Sequence, residues 1–267
     1  DSAEKSVTVK QQNFPKRIVS LVPAGTEILC EVGAINQIVA RTDFCNYPPE
    51  VSSIPSTGGF SSEAISLETI LSFNPDFIYA QKAAHSQLLE PLKNSGVQIF
   101  FSEAATINDI CNEIEYIGKV TGHEKISTDT ANQIRALFEE ARKKAESVPK
   151  TAVYYEVWNK PLLTIGKSVF ITEIIEANGG KNIFDDVNEE YPIISEEMII
   201  ARNPEVIIVP EENGYTKEDI KNRSGWQNIP AVKNDRIYII PSDPISRPGP
   251  RIKQASELFY KIINDIQ

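Results

Sequence analysis

A thirteen-residue pattern occurs twice in this chain, and it limits the fold more than any other feature. The pattern Ser-x-Glu-x-Ile-x-x-x-Asn-Pro-acid-x-Ile covers residues 66–78 and returns, 129 residues later, at 195–207. The serine is a favourable helix N-cap, and a glutamate two residues later suits the positive end of a helix. Asn-Pro disfavours further helix, so an apolar strand can begin at once. Each copy therefore predicts a short helix followed by a buried strand.

A second repeat follows each copy in the same order. Residues 97–103 and 237–243, which are 140 residues apart, are apolar runs that end in Ser and an acidic residue. Near the start of the chain, a strand at 17–22, a helix from Thr26 to Gly33 and a strand at 35–41 give the alternation of an α/β fold. We therefore predict two similar α/β lobes, each a parallel-type sheet flanked by helices.

The stretch between the two copies predicts one long helix. Its core-facing positions recur at three- and four-residue steps, and charged residues occupy the other faces, as in an amphipathic helix. Those positions are Ile126, Thr130, Ile134, Leu137, Phe138, Ala141, Ala145 and Val148. A helix near 124–148 would be roughly 36 Å long, the height of a small domain. We predict an N-terminal lobe over 1–121, a rigid connecting helix over 122–148 and a C-terminal lobe over 149–267.

Composition and charge exclude several classes of partner. The chain has 27 Lys and Arg against 37 Asp and Glu, for a formal net charge of -10. An acidic surface disfavours nucleic acid and anionic membranes, because both require a basic footprint. No apolar run reaches the roughly 18–20 residues of a membrane span, and no signal peptide is visible. The sequence opens with Asp1 and a polar stretch, which is typical of a trimmed start.

Motifs for catalysis and metal binding are absent from the sequence. Cys30, Cys45 and Cys111 form no Cys-x-x-Cys pair, and three cysteines cannot all pair within one chain, so at least one is a free thiol. Two histidines supply a protein zinc site poorly. Gly166-Lys167-Ser168 resembles the end of a phosphate loop, but Pro161 stands where its first glycine is needed. We therefore expect no enzymatic activity, no bound cofactor and no resident metal.

Several segments together resemble one family of transport receptors. They are 17–29 with Gly33, Asp43-Phe44-Cys45-Asn46-Tyr47-Pro48-Pro49-Glu50, the two Ser-x-Glu repeats, 179–184, and Arg247-Pro248-Gly249-Pro250-Arg251-Ile252. In this order they resemble the cobalamin-binding proteins of ABC importers, within the class III group of siderophore, haem and cobalamin receptors. The resemblance runs from about residue 17 to the C-terminus.

The resemblance implies a fold and a function. Such receptors have two α/β lobes on one rigid helix, bind a metal chelate between the lobes and deliver it to an ABC permease and its ATPase. Cobalamin or another corrinoid is the implied ligand, with an iron–siderophore or haem as the alternative. The protein would act as a monomer outside the cytoplasm, in a periplasm or as a membrane-anchored lipoprotein. The rival is a chelatase-like enzyme on a similar fold, with Glu103, Asp243 and Glu156 as its available carboxylates.

Open α/β sheets bind ligands beyond the carboxyl ends of their strands. Here those ends predict a cleft formed by 23–26, 81–85, 102–103, 157–160 and 242–247. The candidate ligand-binding residues on or near these segments are Pro23, Ala24, Gly25, Tyr47, His85, Trp158, Tyr191 and Arg247.

Each candidate has a plainer alternative. Tyr47, Trp158 and Tyr191 could stack on a macrocycle, or they could simply pack their loops. Arg247 could bind a carboxylate, amide or phosphate of the ligand, or it could be a surface charge. An imidazole such as that of His85 can ligate cobalt or haem iron, but a lone loop histidine is more often solvated. A thiolate from Cys45 is a further metal ligand that the sequence leaves open.

The repeated glutamates have a separate interpretation. Glu68 and Glu197 occupy equivalent helix first turns, where a carboxylate offsets the positive end of the helix dipole. The resemblance implies that they also meet arginines of the permease. We therefore predict that both glutamates contribute to docking.

Overall fold

Two parallel sheets joined by one long helix form the architecture of this protein. The computed structural model describes residues 13–265, so the first twelve residues of the predicted N-terminal lobe and the last two of the C-terminal lobe lie outside the described residues. The strands are β1 (Ile18–Ser20), β2 (Ile38–Arg41), β3 (Phe77–Gln81), β4 (Gln98–Ser102), β5 (Thr151–Asn159), β6 (Leu162–Thr164), β7 (Gly180–Asn182), β8 (Val206–Pro210) and β9 (Ile237–Ile240).

Helices flank both sheets. They are α1 (Pro23–Glu31), α2 (Leu67–Ser72), α3 (Leu89–Asn94), α4 (Ile107–Thr121), α5 (Glu124–Ala145), α6 (Phe170–Ala177), α7 (Glu196–Arg202), α8 (Lys217–Lys221), α9 (Pro230–Lys233), α10 (Asp243–Ser246) and α11 (Ile252–Ile263). The predicted fold class, two α/β lobes on one connecting helix, is confirmed. Among the helices of residues 13–265, none is both long enough and apolar enough to span a bilayer.

The two sheets share one strand order. The first is β2-β1-β3-β4, and the second is β7-β5-β8-β9, to which β6 is added as an antiparallel partner of the carboxyl-terminal half of β5. Within each series every neighbouring pair is parallel. The repeated sequence patterns therefore correspond to equivalent units, α2-β3 with α7-β8, and β4 with β9.

The local chemistry of the repeat appears as the sequence predicts. The Ser66 hydroxyl accepts a hydrogen bond from the backbone N–H of Thr69 at 3.0 Å, and the Ser195 hydroxyl accepts one from Met198 at 3.4 Å. Both asparagines before the prolines, Asn74 and Asn203, adopt positive φ and end the turn after the helix. Asparagine tolerates this left-handed conformation better than most residues. Each short helix is thus closed at both ends by side-chain and backbone preferences.

The connecting helix is α5, which begins at Glu124 and ends at Ala145, three residues before the predicted end. Its buried face packs on α4 and α6, and at 1.5 Å per residue its length is roughly 33 Å. Ile134 and Phe138 of this face belong to a core that also contains Phe77 of the first sheet and Phe259 of α11. On its outer face, each sheet also packs against a second hydrophobic core whose residues all belong to the same lobe. Because the central core spans both lobes, the lobes and α5 form one packed body.

One local prediction is wrong in detail. Helix α1 begins at Pro23 rather than at Thr26, because proline suits the first turn of a helix, where no N–H partner is needed. Residues 226–233 hold a short 3₁₀ turn and α9, and Trp226 is fully buried in the outer core of the second lobe.

Candidate ligand-binding cleft

A cavity of about 300 Å³ lies where carboxyl ends of the first sheet meet the segment after β9. Its lining residues are Val22, Pro23, Ala24, Phe44, Phe60, Gln81, Ser102, Ser246, Arg247 and Pro248. A neighbouring cavity of about 490 Å³ shares Gln81, Ser102, Ser246 and Pro248 with it and extends to Phe170 and Tyr191 of the second lobe. The two cavities form one cleft between the lobes, and both volumes are within the range of small-molecule sites. The predicted position of the site, beyond the strand ends, agrees with this geometry.

Two phenylalanines form the apolar wall of the smaller cavity. The rings of Phe44 and Phe60 meet edge to face with their centroids 6.4 Å apart, and Phe44 is 57% exposed. An exposed aromatic side chain beside a cavity offers apolar area to a ligand at a small ordering cost. Neither residue is among the ligand-binding residues predicted from sequence. Phe44 lies three residues before Tyr47 in the segment 43–50, whereas Phe60 lies in an irregular stretch without a recognisable pattern.

His85 does not line the cleft, and its prediction as a ligand residue is wrong. Its side chain is fully buried, and its ring lies 5.7 Å from that of Phe60. Nδ1 accepts a hydrogen bond from the backbone N–H of Gln81 at 3.0 Å, and Nε2 lies 2.9 Å from the carbonyl oxygen of Phe60, to which it donates. Burial lowers the pKa of the imidazole. Both nitrogens are therefore occupied, and His85 acts as a neutral support that holds Phe60 against the cavity.

A buried carboxylate fixes the polar floor of the cleft. Glu113 of α4 accepts hydrogen bonds from the hydroxyls of Ser102 and Tyr79, both at 2.9 Å, and from the backbone N–H of Glu103 at 3.1 Å. Burial raises the pKa of this carboxyl group. Because the Ser102 hydroxyl donates its proton to Glu113, its lone pairs are free to accept a hydrogen bond from a ligand in the cleft.

An ion cluster joins the two lobes beside the smaller cavity. Glu27 of α1 accepts hydrogen bonds from Arg247 at 2.9 Å and from Arg251 at 2.8 Å, and these residues are more than 200 positions apart in sequence. The Glu27 side chain is only 2% exposed and each arginine side chain 11%. Asp243 lies 2.7 Å from Arg247. The cluster therefore joins α1 to the segment before α11.

The structure brings half of the predicted ligand residues to the cleft wall. Pro23, Ala24 and Arg247 line the smaller cavity, and Tyr191 lines the larger one. Gly25 is buried within α1, where a Cβ atom would overlap the ring of Tyr79. A glycine is therefore needed there for packing, and its contact with a ligand stays a prediction.

Tyr47 and Trp158 lie outside the walls of both cavities. Tyr47 is 38% exposed, and the guanidinium carbon of Arg251 lies 4.2 Å from the centre of its ring. Trp158 is 47% exposed at the end of β5, and its indole N–H donates to the carbonyl of Lys160 at 3.1 Å. Their contact with a ligand stays a prediction, which would place them at the rim of the cleft.

The carboxylates that an enzyme would need are engaged in ion pairs. Glu156 is fully buried and paired with Arg223 at 2.8 Å, Glu103 is paired with Lys82 at 2.8 Å, and Asp243 belongs to the ion cluster. No group of three or more His, Cys, Asp or Glu side chains within residues 13–265 is placed to hold a metal ion. Cys45 is buried, and its sulfur lies 3.1 Å from the Thr42 hydroxyl.

The predicted docking glutamates have the exposure that docking needs. Glu68 and Glu197 are both exposed and occupy the second helical position of α2 and α7. The hydroxyl of Ser195 lowers the pKa of the Glu197 carboxyl group. The two carboxylates are therefore equivalent features of the two lobes.

Comparison with known proteins gives a consistent picture. The sequence pattern of the family described as periplasmic binding protein matches residues 18–244. The chain is 29% identical, over 92% of its length and 91% of the relative, to a vitamin B12-binding protein of Vibrio vulnificus. It is also 29% identical, over 99% of its length and 85% of the relative, to the uncharacterized ABC transporter substrate-binding lipoprotein YvrC of Bacillus subtilis.

One solved structure has a sequence identity to this chain that is close to that of these two relatives. The crystal structure of a protein from Staphylococcus epidermidis, described as a possible iron-binding periplasmic solute-binding protein, superposes with a TM-score of 0.81 and 31% identity. The match covers 94% of this chain and 99% of that one.

Proposed function

This chain belongs to the periplasmic binding protein family, and on that basis we propose that it captures a corrinoid and delivers it to an ABC permease. The proposed corrinoids are cobalamin and cobinamide. Binding would take place outside the cytoplasm, in a periplasm or at a membrane surface, as the lipoprotein relative suggests. The corrinoid would be cargo rather than a cofactor, and the receptor would act as a monomer without catalysing a reaction.

One observation carries the choice of ligand: the apolar cavity walled by Phe44 and Phe60 opens into a larger cavity lined by polar groups. A corrinoid has a broad apolar macrocycle with amide groups around its edge. The phenyl rings suit the macrocycle, and the neutral side chains of Gln81, Ser102 and Ser246 suit the amides. The similarity to a vitamin B12-binding protein supports the same choice.

An iron chelate is the second candidate. The structural neighbour described as a possible iron-binding protein is as similar to this chain as the vitamin B12-binding relative. An iron–siderophore or haem would use the same cleft.

A titration distinguishes the candidates. The purified protein is mixed in turn with cobinamide, cobalamin, haem and a ferric siderophore, and co-elution at one equivalent is followed by absorbance. We expect a corrinoid to bind with sub-micromolar affinity, which corresponds to more than about 8 kcal/mol. Strong binding of a ferric siderophore, with no calorimetric heat from either corrinoid, would show that the ligand assignment is wrong.

The aromatic wall gives a matched pair of variants. Phe44→Ala should weaken corrinoid binding by about 1–3 kcal/mol, because the ring is exposed to the ligand. Tyr260→Ala is the control, since Tyr260 is 40% exposed on α11 and does not line the cleft cavities. Equal affinities of the two variants would contradict a stacking role for Phe44.

Delivery can be tested apart from ligand binding. The double variant Glu68→Ala and Glu197→Ala should keep its ligand affinity but bind the reconstituted permease less tightly, because paired carboxylates would meet basic groups there. The control is Glu139→Ala with Glu140→Ala, which removes the same charge from the exposed face of α5 near its carboxyl end. If both double variants support uptake equally well, the repeated glutamates serve their helices alone.

A further inference from the structure

The arginine that lines the cleft has its terminal hydrogen-bond donors occupied by the protein itself. Nη1 of Arg247 donates to Glu27 at 2.9 Å and to the side-chain oxygen of Asn46 at 2.8 Å. Nη2 donates to the carbonyl of Phe44 at 3.3 Å and lies 2.7 Å from Asp243. Each of these nitrogens carries two hydrogens. A ligand in the cleft therefore meets a guanidinium whose two terminal nitrogens are already engaged.

The charge of the arginine is also neutralised. Glu27 and Asp243 balance Arg247 and Arg251, so the cluster of four carries no net charge. Arg251 does not line either cavity: its guanidinium group is held by hydrogen bonds to Glu27 and by the ring of Tyr47, whose centre lies 4.2 Å from the guanidinium carbon.

The other charged side chains at the cleft also disfavour a negatively charged ligand. Lys82 is paired with Glu103 at 2.8 Å, and both side chains are more than half exposed. Glu190 lines the larger cavity and is exposed. A carboxylate on the ligand would therefore meet, on these walls, only cations that are already paired with acidic groups, and it would approach the acidic side chain of Glu190.

We propose that Glu27 and Asp243 set the charge selectivity of the cleft, so that it prefers ligands with neutral amide groups over otherwise similar ligands with carboxylates. This inference rests on the proposed function only in taking the cleft as the ligand site. An amide exchanges hydrogen bonds with Gln81, Ser102 and Ser246 and loses little on leaving water. A carboxylate can accept hydrogen bonds from the neutral donors among these groups, but the positive groups of the cleft are already paired and do not offset its larger loss of hydration. Glu27 and Asp243 act through Arg247 and are positioning residues.

Matched ligands that differ only in these groups provide the test. Cobyrinic acid heptaamide is compared with cobyrinic acid, which has the same macrocycle and carboxylates in place of the amides. Haem is compared with haem whose two propionates have been converted to amides. Calorimetry gives, for each pair, the ratio of the two dissociation constants. We expect the wild-type protein to favour the amide form by at least about tenfold, or about 1.4 kcal/mol.

The variants test whether the carboxylates cause this preference. Glu27→Gln and Asp243→Asn each release a positive charge at Arg247, so the preference should fall at least about threefold in both, most clearly at low salt. Asp243→Asn should disturb the fold less than Glu27→Gln, because the Asp243 side chain is 37% exposed and that of Glu27 only 2%. Glu31→Gln is the control: Glu31 also joins α1 to the C-terminal segment, through Lys253 at 3.2 Å, but does not line either cavity.

The outcomes distinguish the charge selectivity of the cleft from the assignment of a corrinoid as its ligand. A merely structural role would weaken both members of a pair by the same factor and leave their ratio unchanged, which would overturn the inference. It would also be overturned if the wild-type protein bound the carboxylate form as tightly as the amide form, or bound neither series. If only the haem series binds, with its amide form preferred, the corrinoid assignment fails and the charge selectivity stands.

Discussion

The contact between α4 and α5 is close enough to make a single methyl group costly. Gly118 of α4 faces Ser127 of α5, and a Cβ atom added at Gly118 would overlap the serine side chain. It would also lie 3.1 Å from the backbone carbonyl of His123. Ser127 is fully buried, so its side chain cannot turn into solvent. Gly118→Ala must therefore push the two helices apart or distort one of them.

Two opposing effects determine the size of the change. Overpacking of a well-packed core costs about 1–3 kcal/mol, and the upper end applies here because the overlap involves the Cβ of a helical residue. Replacing glycine by alanine within a helix recovers up to about 1 kcal/mol. We therefore expect Gly118→Ala to lower the free energy of unfolding by about 2 kcal/mol, or roughly 4–8 °C in Tm.

A second substitution should relieve the first. Ser127→Gly alone removes the hydrogen bond from the serine hydroxyl to the Glu124 carbonyl, 2.9 Å long, and places a glycine in a helix. It should cost about 1–2 kcal/mol. In the double variant the alanine methyl occupies the space that the serine leaves, so the total cost should be smaller than the sum by about 2 kcal/mol.

Urea denaturation followed by tryptophan fluorescence measures all four proteins of this cycle. The reasoning fails if Gly118→Ala is as stable as the wild-type protein, because helix propensity would then outweigh the overlap. It also fails if the two costs simply add, because the two residues would then not compete for the same space.

Three further predictions concern buried ionisable groups. Glu27→Ala leaves two guanidinium groups without their shared partner and should cost about 3–5 kcal/mol of stability in urea, whereas Glu31→Ala should cost less than about 1 kcal/mol; equal costs would contradict the burial argument. Because burial lowers the pKa of His85, the unfolded state binds its proton first as the pH falls below about 6.5, and stability should decline there by up to about 1.4 kcal/mol per pH unit. His85→Gln should remove that part of the slope between pH 7 and 5, and an unchanged slope would assign it to other groups. Burial raises the pKa of Cys30 to about 12 and that of Cys111 to about 11, so a thiol reagent at pH 8 should label them only as the protein unfolds; fast labelling of the native protein would refute this.

The parts of the fold that local chemistry determines could be predicted from sequence. Ser66 and Ser195 cap their helices, and Asn-Pro ends the following turn, wherever the segments lie in space. The family resemblance is confirmed by the match over residues 18–244. The strand-end rule then located the cleft, because parallel strands bring their carboxyl ends to one edge.

Residues that depend on distant contacts could not be assigned in this way. His85 lies on a segment at the cleft edge, but the backbone of Phe60, 25 residues earlier, covers it and takes up its second nitrogen. Arg247 does reach the cavity, yet its partner Glu27 is 220 positions away, so nothing near it in sequence reveals that it is already paired. Phe60 itself lies in a stretch without secondary-structure periodicity.

The ion cluster also affects the order in which the protein can be completed during synthesis. A chain made from its amino end contains Glu27 early, but Arg247 and Arg251 are among its last residues. Until they emerge, α1 holds a carboxylate that has no partner, and the central core lacks Phe259 and the rest of α11. Contacts of such long range slow folding, because the closure of a large loop must precede them. The first lobe therefore cannot reach its final packing before the end of the chain is available, and a nascent chain arrested before residue 247 should remain sensitive to proteases.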